Sequence, residues 1–241
     1  ENVRDSLAKS VLFAGLDAEV LNRIADIMRP VSLARGETLF VQGDTAKGCY
    51  CVLGGALKVS ILDEEGEETI LTVLGNSDLL GEMGLIDDAP RSATITALQT
   101  TELAFLSAKA FNELADQNPA IYRHLLRIIC ARLRATNDSF SVRQSMGLEG
   151  RLAHTLLRLA EGFGNPLDSD RVMIFHKFTQ SDLGDMVGAA RENVSRQINK
   201  WCREEVLSKI SGYYCIEKPG VLRDLVMVLG AGLVAGFIFD Q

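Results

Sequence analysis

The sequence predicts an α+β fold in three successive parts: an antiparallel β-roll, one long helix, and a C-terminal helix-turn-helix backed by a hairpin. Three observations predict it. From Val31 the short β-rich runs VSLARGETLF, YCVLGGALKVSI, ETILTVL, RSATITAL and ELAFL alternate with Gly36, Gly43, Gly48, Gly54, Gly55, Gly66 and Gly75. That spacing suits hairpin-connected strands and argues against a parallel sheet with crossover helices. Leu126, Ile129, Leu133, Thr136 and Phe140 follow the alternating three-and-four spacing of a coiled-coil seam. Residues 179–204 read as a helix, a glycine turn and a basic second helix.

Taken in order, Leu7, Val11, Leu12, Leu16, Val20, Leu21, Ile24 and Ile27 predict a helical lead-in over residues 6–28, ended by Pro30. The acidic stretch Asp63–Glu68 is a solvated hairpin tip. One segment of the roll, Leu80–Ala93, is unlike a strand: it opens on Gly81-Glu82, turns helical or turn-like through Asp88, and returns at Pro90-Arg91-Ser92. Gly81 permits close backbone approach to a ligand, and Glu82 is an acceptor suited to a sugar hydroxyl. Arg91, Ser92 and nearby backbone N–H groups are donors suited to one phosphate. Ser107 caps a short helix through Asp116, and Asn118-Pro119 opens the long one. Its seam turns polar at Thr136, with Asn137 beside it, which is either a register-setting device or a polar contact to something bound there.

Beyond the long helix, residues 148–163 form a helix with Leu152, Thr155, Leu156 and Leu159 inward, and residues 164–170 a loop. Thr179-Gln-Ser-Asp182 is a capping-box-like start for a helix carrying Leu183, Met186 and Val187, and Gly188 provides the turn. The second helix, residues 190–204, sends Val194, Ile198 and Trp201 to the core and leaves Arg191, Glu192, Ser195, Arg196, Asn199 and Lys200 exposed. Residues 208–218, turning at Gly212, form the wing hairpin, which completes a winged helix-turn-helix. Leu225–Phe239 is an apolar run containing Gly232 and Gly236, shorter than the ~20 residues of a membrane-spanning helix. A membrane is therefore not an expected partner. The expected division is 1–118 for lead-in and roll, 119–147 for the long helix, 148–224 for the winged helix-turn-helix, and 225–241 for an apolar extension without an assigned role.

The net charge of −7 is unevenly placed, since residues 149–225 balance eleven Lys/Arg against eleven Asp/Glu and the acidity belongs mainly to the preceding region. Within that balance, Arg191, Arg196, Lys200 and Arg203 make the second helix locally positive, as a phosphate backbone requires. The five cysteines are scattered and lack a C-x-x-C pair, and no secretory signal is seen, so they read as reduced thiols of a cytoplasmic protein. Cys49 and Cys51 share one strand face and are expected in the core. Three widely separated histidines support no zinc or haem site, and no cysteine cluster supports an iron–sulfur site. An enzyme finds little support, with no P-loop, nucleophile elbow or metal triad.

Residues 80–93 resemble the phosphate-binding cassette of the cyclic-nucleotide-binding domain. TQSDLGDMVGAARENVSRQI resembles the DNA-binding signature of the cyclic AMP receptor protein/fumarate-nitrate reduction regulator superfamily, and the similarity runs to about Lys218. The resemblance implies a dimeric, cyclic-nucleotide-responsive transcription regulator. In it, Gly81 and Glu82 hold the ribose, and Arg91 and Ser92 the cyclic phosphate. Arg132 lies near that phosphate, Thr136 meets the adenine edge, and Asn137 reaches the ligand of the other subunit. The family's cyclic AMP sensors have serine at the last position, so Asn137 leaves cyclic GMP as an alternative ligand. Arg191, Glu192 and Arg196 fall where the family reads bases; arginine suits guanine and Glu192 can accept from cytosine, which implies palindromic half-sites of the TGTGA type. Thr179, Ser195 and Lys200 suit phosphate contacts, Thr179 and Ser195 equally caps. RNA polymerase is an expected partner. The alternatives are another effector on the same scaffold and, more remotely, a nucleotide-consuming enzyme.

Overall fold

The computed structural model describes residues 3–10, 12–13, 15–168 and 170–234, with the side chains described as far as residue 227. The chain divides into two compact units, Glu1–Arg134 and Ala135–Gln241.

In the first unit the lead-in is two helices, α1 (Val3–Lys9) and α2 (Ala18–Ile27), where the apolar pattern alone predicts one continuous stretch. Gly15, with φ of 78°, lies in the break between them. Pro30 does more than end α2: it lies within β1 (Arg29–Leu33), an edge strand, where a missing N–H is tolerated. The strands β2 (Thr38–Phe40), β3 (Gly48–Gly54), β4 (Leu57–Leu62), β5 (Glu68–Leu74), β6 (Leu79–Leu80), β7 (Thr94–Ala97) and β8 (Thr101–Ser107) complete the roll. They pair antiparallel in two four-stranded sheets, ordered β1-β8-β3-β6 and β2-β7-β4-β5. Leu33, Val52, Leu57, Leu80, Ile95 and Leu103 fill the roll. Cys49 and Cys51 lie in a second core with Leu7, Ile24, Leu106, Phe111 and Ile121, as their shared strand face predicts. Burial pushes the Cys51 thiol up to about 12, so it stays neutral. Helix α3 (Ala108–Gln117) starts at Ser107, whose hydroxyl accepts from Ala110 N at 3.3 Å.

Helix α4 (Ala120–Ser145) is continuous through the boundary of the two units. Ile121 and Leu125 bury its first turns. Farther along, Leu126, Leu133 and Phe140 are about 60% exposed (61, 60 and 63%), a row of large apolar side chains two turns apart, whereas Ile129 of the predicted seam is half-buried against the core of the first unit.

The second unit contains α5 (Leu148–Phe163), β9 (Gly164–Pro166), β10 (Val172–Ile174), α6 (Gln180–Val187), α7 (Arg191–Arg203), β11 (Leu207–Ile210), β12 (Tyr213–Ile216) and α8 (Pro219–Val234). The predicted loop over residues 164–170 is in part strand: β9 pairs with β10, matching Gly164 to Ile174 and Pro166 to Val172. The resulting sheet, ordered β11-β12-β10-β9, is wider than the predicted two-stranded wing. Leu152, Leu156, Leu183, Val194, Ile198, Trp201 and Leu222 are buried. The apolar extension is a continuation of α8 as far as Val234; Gly236 and the rest of its end lie outside the described residues.

Candidate functional site

The segment between β6 and β7 is built around Gly81 and the 3-10 helix Met83–Leu85. Gly81 has φ of 75°, and a Cβ there would lie 2.4 Å from Arg91 Nη1, so both the backbone and the neighbouring cation demand glycine. Arg91 Nη1 donates to Gly81 O at 2.7 Å, and Nη2 donates to Gly48 O at 2.8 Å. The guanidinium also sits over the Phe40 ring, 4.2 Å from its centroid. Arg91 is only 6% exposed, and burial pulls it below the usual guanidinium range, opposed by Tyr50, Cys49, Glu82 and Asp44.

Glu82 is 1% exposed and pairs through Oε1 with Arg132 of α4, which also donates to Leu79 O. Asp78 is nearby: burial raises its pKa, while Gly75 N, donating at 2.7 Å, and the Arg132 charge oppose the rise. Two polar atoms here are buried without a hydrogen-bond partner, Glu82 Oε2 and Arg91 Nε. Such orphans cost on the order of 1–3 kcal/mol each when nothing meets them. One is an acceptor and the other a cationic donor, the chemistry of a sugar hydroxyl and of a phosphate. Ser92 is exposed, with its hydroxyl 3.7 Å from Met83 Sδ.

The structure therefore brings together Gly81, Glu82, Arg91, Ser92 and Arg132 of the predicted set. Thr136 and Asn137 are exposed on the part of α4 that belongs to the second unit. Gly48, one of the glycines expected between strands, is the first residue of β3, and neither it nor Phe40 carried a signal for this site, because only the folded roll brings residues 40, 48 and 91 together.

In the second unit, Thr179 Oγ1 accepts from Asp182 N at 3.0 Å while the Asp182 carboxylate accepts from Thr179 N at 2.7 Å, a reciprocal capping box. Gly188, at φ of 63°, supplies the left-handed residue that ends α6. The last carbonyls of α6 are also met by cations: Arg143 donates to Met186 O at 3.2 Å and Arg151 to Val187 O at 2.9 Å.

On α7 the inward face is Val194, Ile198 and Trp201, and Arg191, Glu192, Arg196 and Lys200 are exposed. Ser195, expected among the exposed residues, is half-buried, because it lies beside the inward row. Lys200 is held by Glu149 of α5 at 3.0 Å, and the same carboxylate oxygen accepts from Gln197 at 2.9 Å. Arg196 donates to Asn193. Sequence spacing on α7 gave no hint of Glu149, which lies on another helix and fixes the rear of α7.

Residues 30–118 match the cyclic nucleotide-binding domain, and residues 150–225 match the Crp-like helix-turn-helix domain. The chain is 36% identical over 160 residues to a cAMP-activated global transcriptional regulator CRP of Salmonella typhimurium, covering 66% of this chain and 75% of that protein. It belongs to the CRP/FNR superfamily. A CRP-like cAMP-activated global transcriptional regulator of Mycobacterium tuberculosis is 29% identical over 192 residues, 80% of this chain and 85% of that protein. FixK2 of Bradyrhizobium japonicum has a similar fold, with a TM-score of 0.73 at 18% identity over 83% of this chain and 97% of its own. This CRP/FNR member is accordingly a CRP-like transcription regulator with a cyclic-nucleotide-binding domain and a DNA-binding helix-turn-helix, and its relatives are regulators, not enzymes. No helix among the described residues is long and apolar enough to cross a membrane.

Proposed function

We propose that the protein is a homodimeric, cytoplasmic regulator that binds cyclic AMP, with cyclic GMP as a second candidate, and thereby gains affinity for palindromic DNA with TGTGA-type half-sites. The observation that carries the ligand reading is the pair of buried, unpartnered atoms Glu82 Oε2 and Arg91 Nε on either side of Met83–Leu85. Glu82 accepts from a ribose hydroxyl, Arg91 and Ser92 donate to the cyclic phosphate, and Gly81 leaves room for the sugar. Arg132 orders Glu82 through their ion pair, and its charge lies near the phosphate, as the family resemblance implies. On the same resemblance, Thr136 meets the base edge and Asn137 reaches the ligand of the other subunit, and the extra donor and acceptor of Asn137 keep cyclic GMP in play.

Dimerisation is supported by the exposed row Leu126, Leu133 and Phe140, which a second copy of α4 would cover in a two-stranded coiled coil. Two recognition helices α7 then face successive major grooves about 34 Å apart. Arg191, Glu192 and Arg196 read base edges; Thr179 and Ser195 sit where phosphate contacts or caps are made. Lys200 reaches a phosphate only by leaving Glu149. RNA polymerase is the partner through which DNA occupancy is transmitted.

Titration with cyclic AMP and with cyclic GMP, while following binding to a palindromic TGTGA-type probe, tests this reading. At least one nucleotide is expected to raise probe affinity. If neither changes it, the protein uses another effector.

A further inference from the structure

The proposed anion site contains a cation whose orientation is fixed by groups outside the cassette. Arg91 uses Nη1 on Gly81 O and Nη2 on Gly48 O, at 2.7 and 2.8 Å, and its Cζ lies over the Phe40 ring. Two carbonyls fix directions within the guanidinium plane; neither resists rotation of that plane about the line between them. The ring of Phe40 does, because Cζ lies off that line and over the ring, 4.2 Å from its centroid, and rotation about the line would carry it away. Phe40 is itself braced. Its ring lies 6.1 Å from that of Tyr50, which lies 4.9 Å from Phe105, so a row of three rings on β2, β3 and β8 stands behind the cation. With both Nη groups engaged, Nε is the orphaned donor of a nearly buried side chain.

We infer that Phe40 is a positioning residue of the ligand site: its ring holds the Arg91 guanidinium plane so that Nε faces the phosphate. Phe40 does not touch the ligand; it acts through Arg91, and it strengthens the site by lowering the cost of ordering that side chain on binding. The inference rests on the proposed ligand reading. It adds to that reading a determinant of affinity on β2, about fifty residues before the cassette cation in the sequence.

The test uses the full chain and calorimetric titration with cyclic AMP and cyclic GMP, with thermal melts to establish that each variant is folded. Phe40→Leu keeps most of the apolar volume but removes the π face, and is expected to weaken binding about 2- to 30-fold, the range of a cation–π contact from exposed to desolvated. Phe40→Tyr retains the face and is expected to bind within about twofold of the parent. In an Arg91→Gln background, Phe40→Leu should have a much smaller effect than in the parent, since the cation it orients is gone. Unchanged affinity in Phe40→Leu overturns the inference, as does an equal loss in both backgrounds, which marks Phe40 as simple packing. A parent chain that binds neither nucleotide overturns the ligand reading itself, and this inference with it.

Discussion

Arg91→Gln is expected to lower cyclic nucleotide affinity about 10- to 150-fold while leaving the fold intact. The magnitude is that of a hydrogen bond to a charged group, on the order of 1.5–3 kcal/mol, converted to a binding ratio. Glutamine can still donate to one of the two carbonyls, Gly81 O or Gly48 O, that Arg91 now serves, so the roll keeps part of its internal pairing. What it cannot supply is the charge or the Nε donor. Calorimetric titration of the variant checks the loss, and a thermal melt separates it from unfolding. Parent-like affinity would remove Arg91 from the ligand site and leave its buried Nε without an account.

The second large effect belongs to the DNA interface. Arg191 is the first residue of α7, exposed, at the end of the recognition helix that offers side chains to base edges. Arg191→Ala is expected to weaken binding to a TGTGA-type palindrome about 5- to 150-fold per half-site, the value of a bidentate contact to guanine of about 1–3 kcal/mol. Binding to random DNA should fall only slightly, because backbone attraction is shared among several cations. Gel-shift or anisotropy titrations on both probes check the difference. An equal loss on operator and random DNA would make Arg191 a phosphate contact and move base reading to Glu192 and Arg196.

Much of the fold was legible because the deciding signals are local. Glycines between β-rich runs marked the roll, Ser107 and Thr179 announced their helices by capping chemistry, and Val194, Ile198 and Trp201 fixed the inward face of α7. The failures share a cause in short range. A strand of three residues, such as β9 or β10, has too little alternation to stand out from a loop. Pro30 reads as a breaker in sequence, yet an edge position makes it compatible with β1.

The site followed the same division. Gly81, Glu82, Arg91 and Ser92 are close in sequence and carry recognisable chemistry. The groups that hold them are remote: Phe40 on β2 and Gly48 on β3 precede Arg91 by forty residues or more, and Glu149 meets Lys200 from α5. Such supports are invisible to spacing, because each is a carbonyl, a ring or a lone carboxylate whose role exists only after folding. Ser195 shows the opposite limit: helical periodicity put it on the outer face, and its position beside the inward row leaves it half-buried.

The central claim is that nucleotide and DNA favour the same state of the dimer. Thermodynamic linkage then requires the gain in operator affinity caused by nucleotide to equal the gain in nucleotide affinity caused by operator. Calorimetric titration of the protein with cyclic AMP and with cyclic GMP, alone and saturated with a palindromic operator, measures it directly. For the nucleotide that acts as effector, affinity is predicted to be higher on the operator complex, by about 5- to 150-fold for a coupling of typical size. Affinity unchanged by saturating operator would contradict the account.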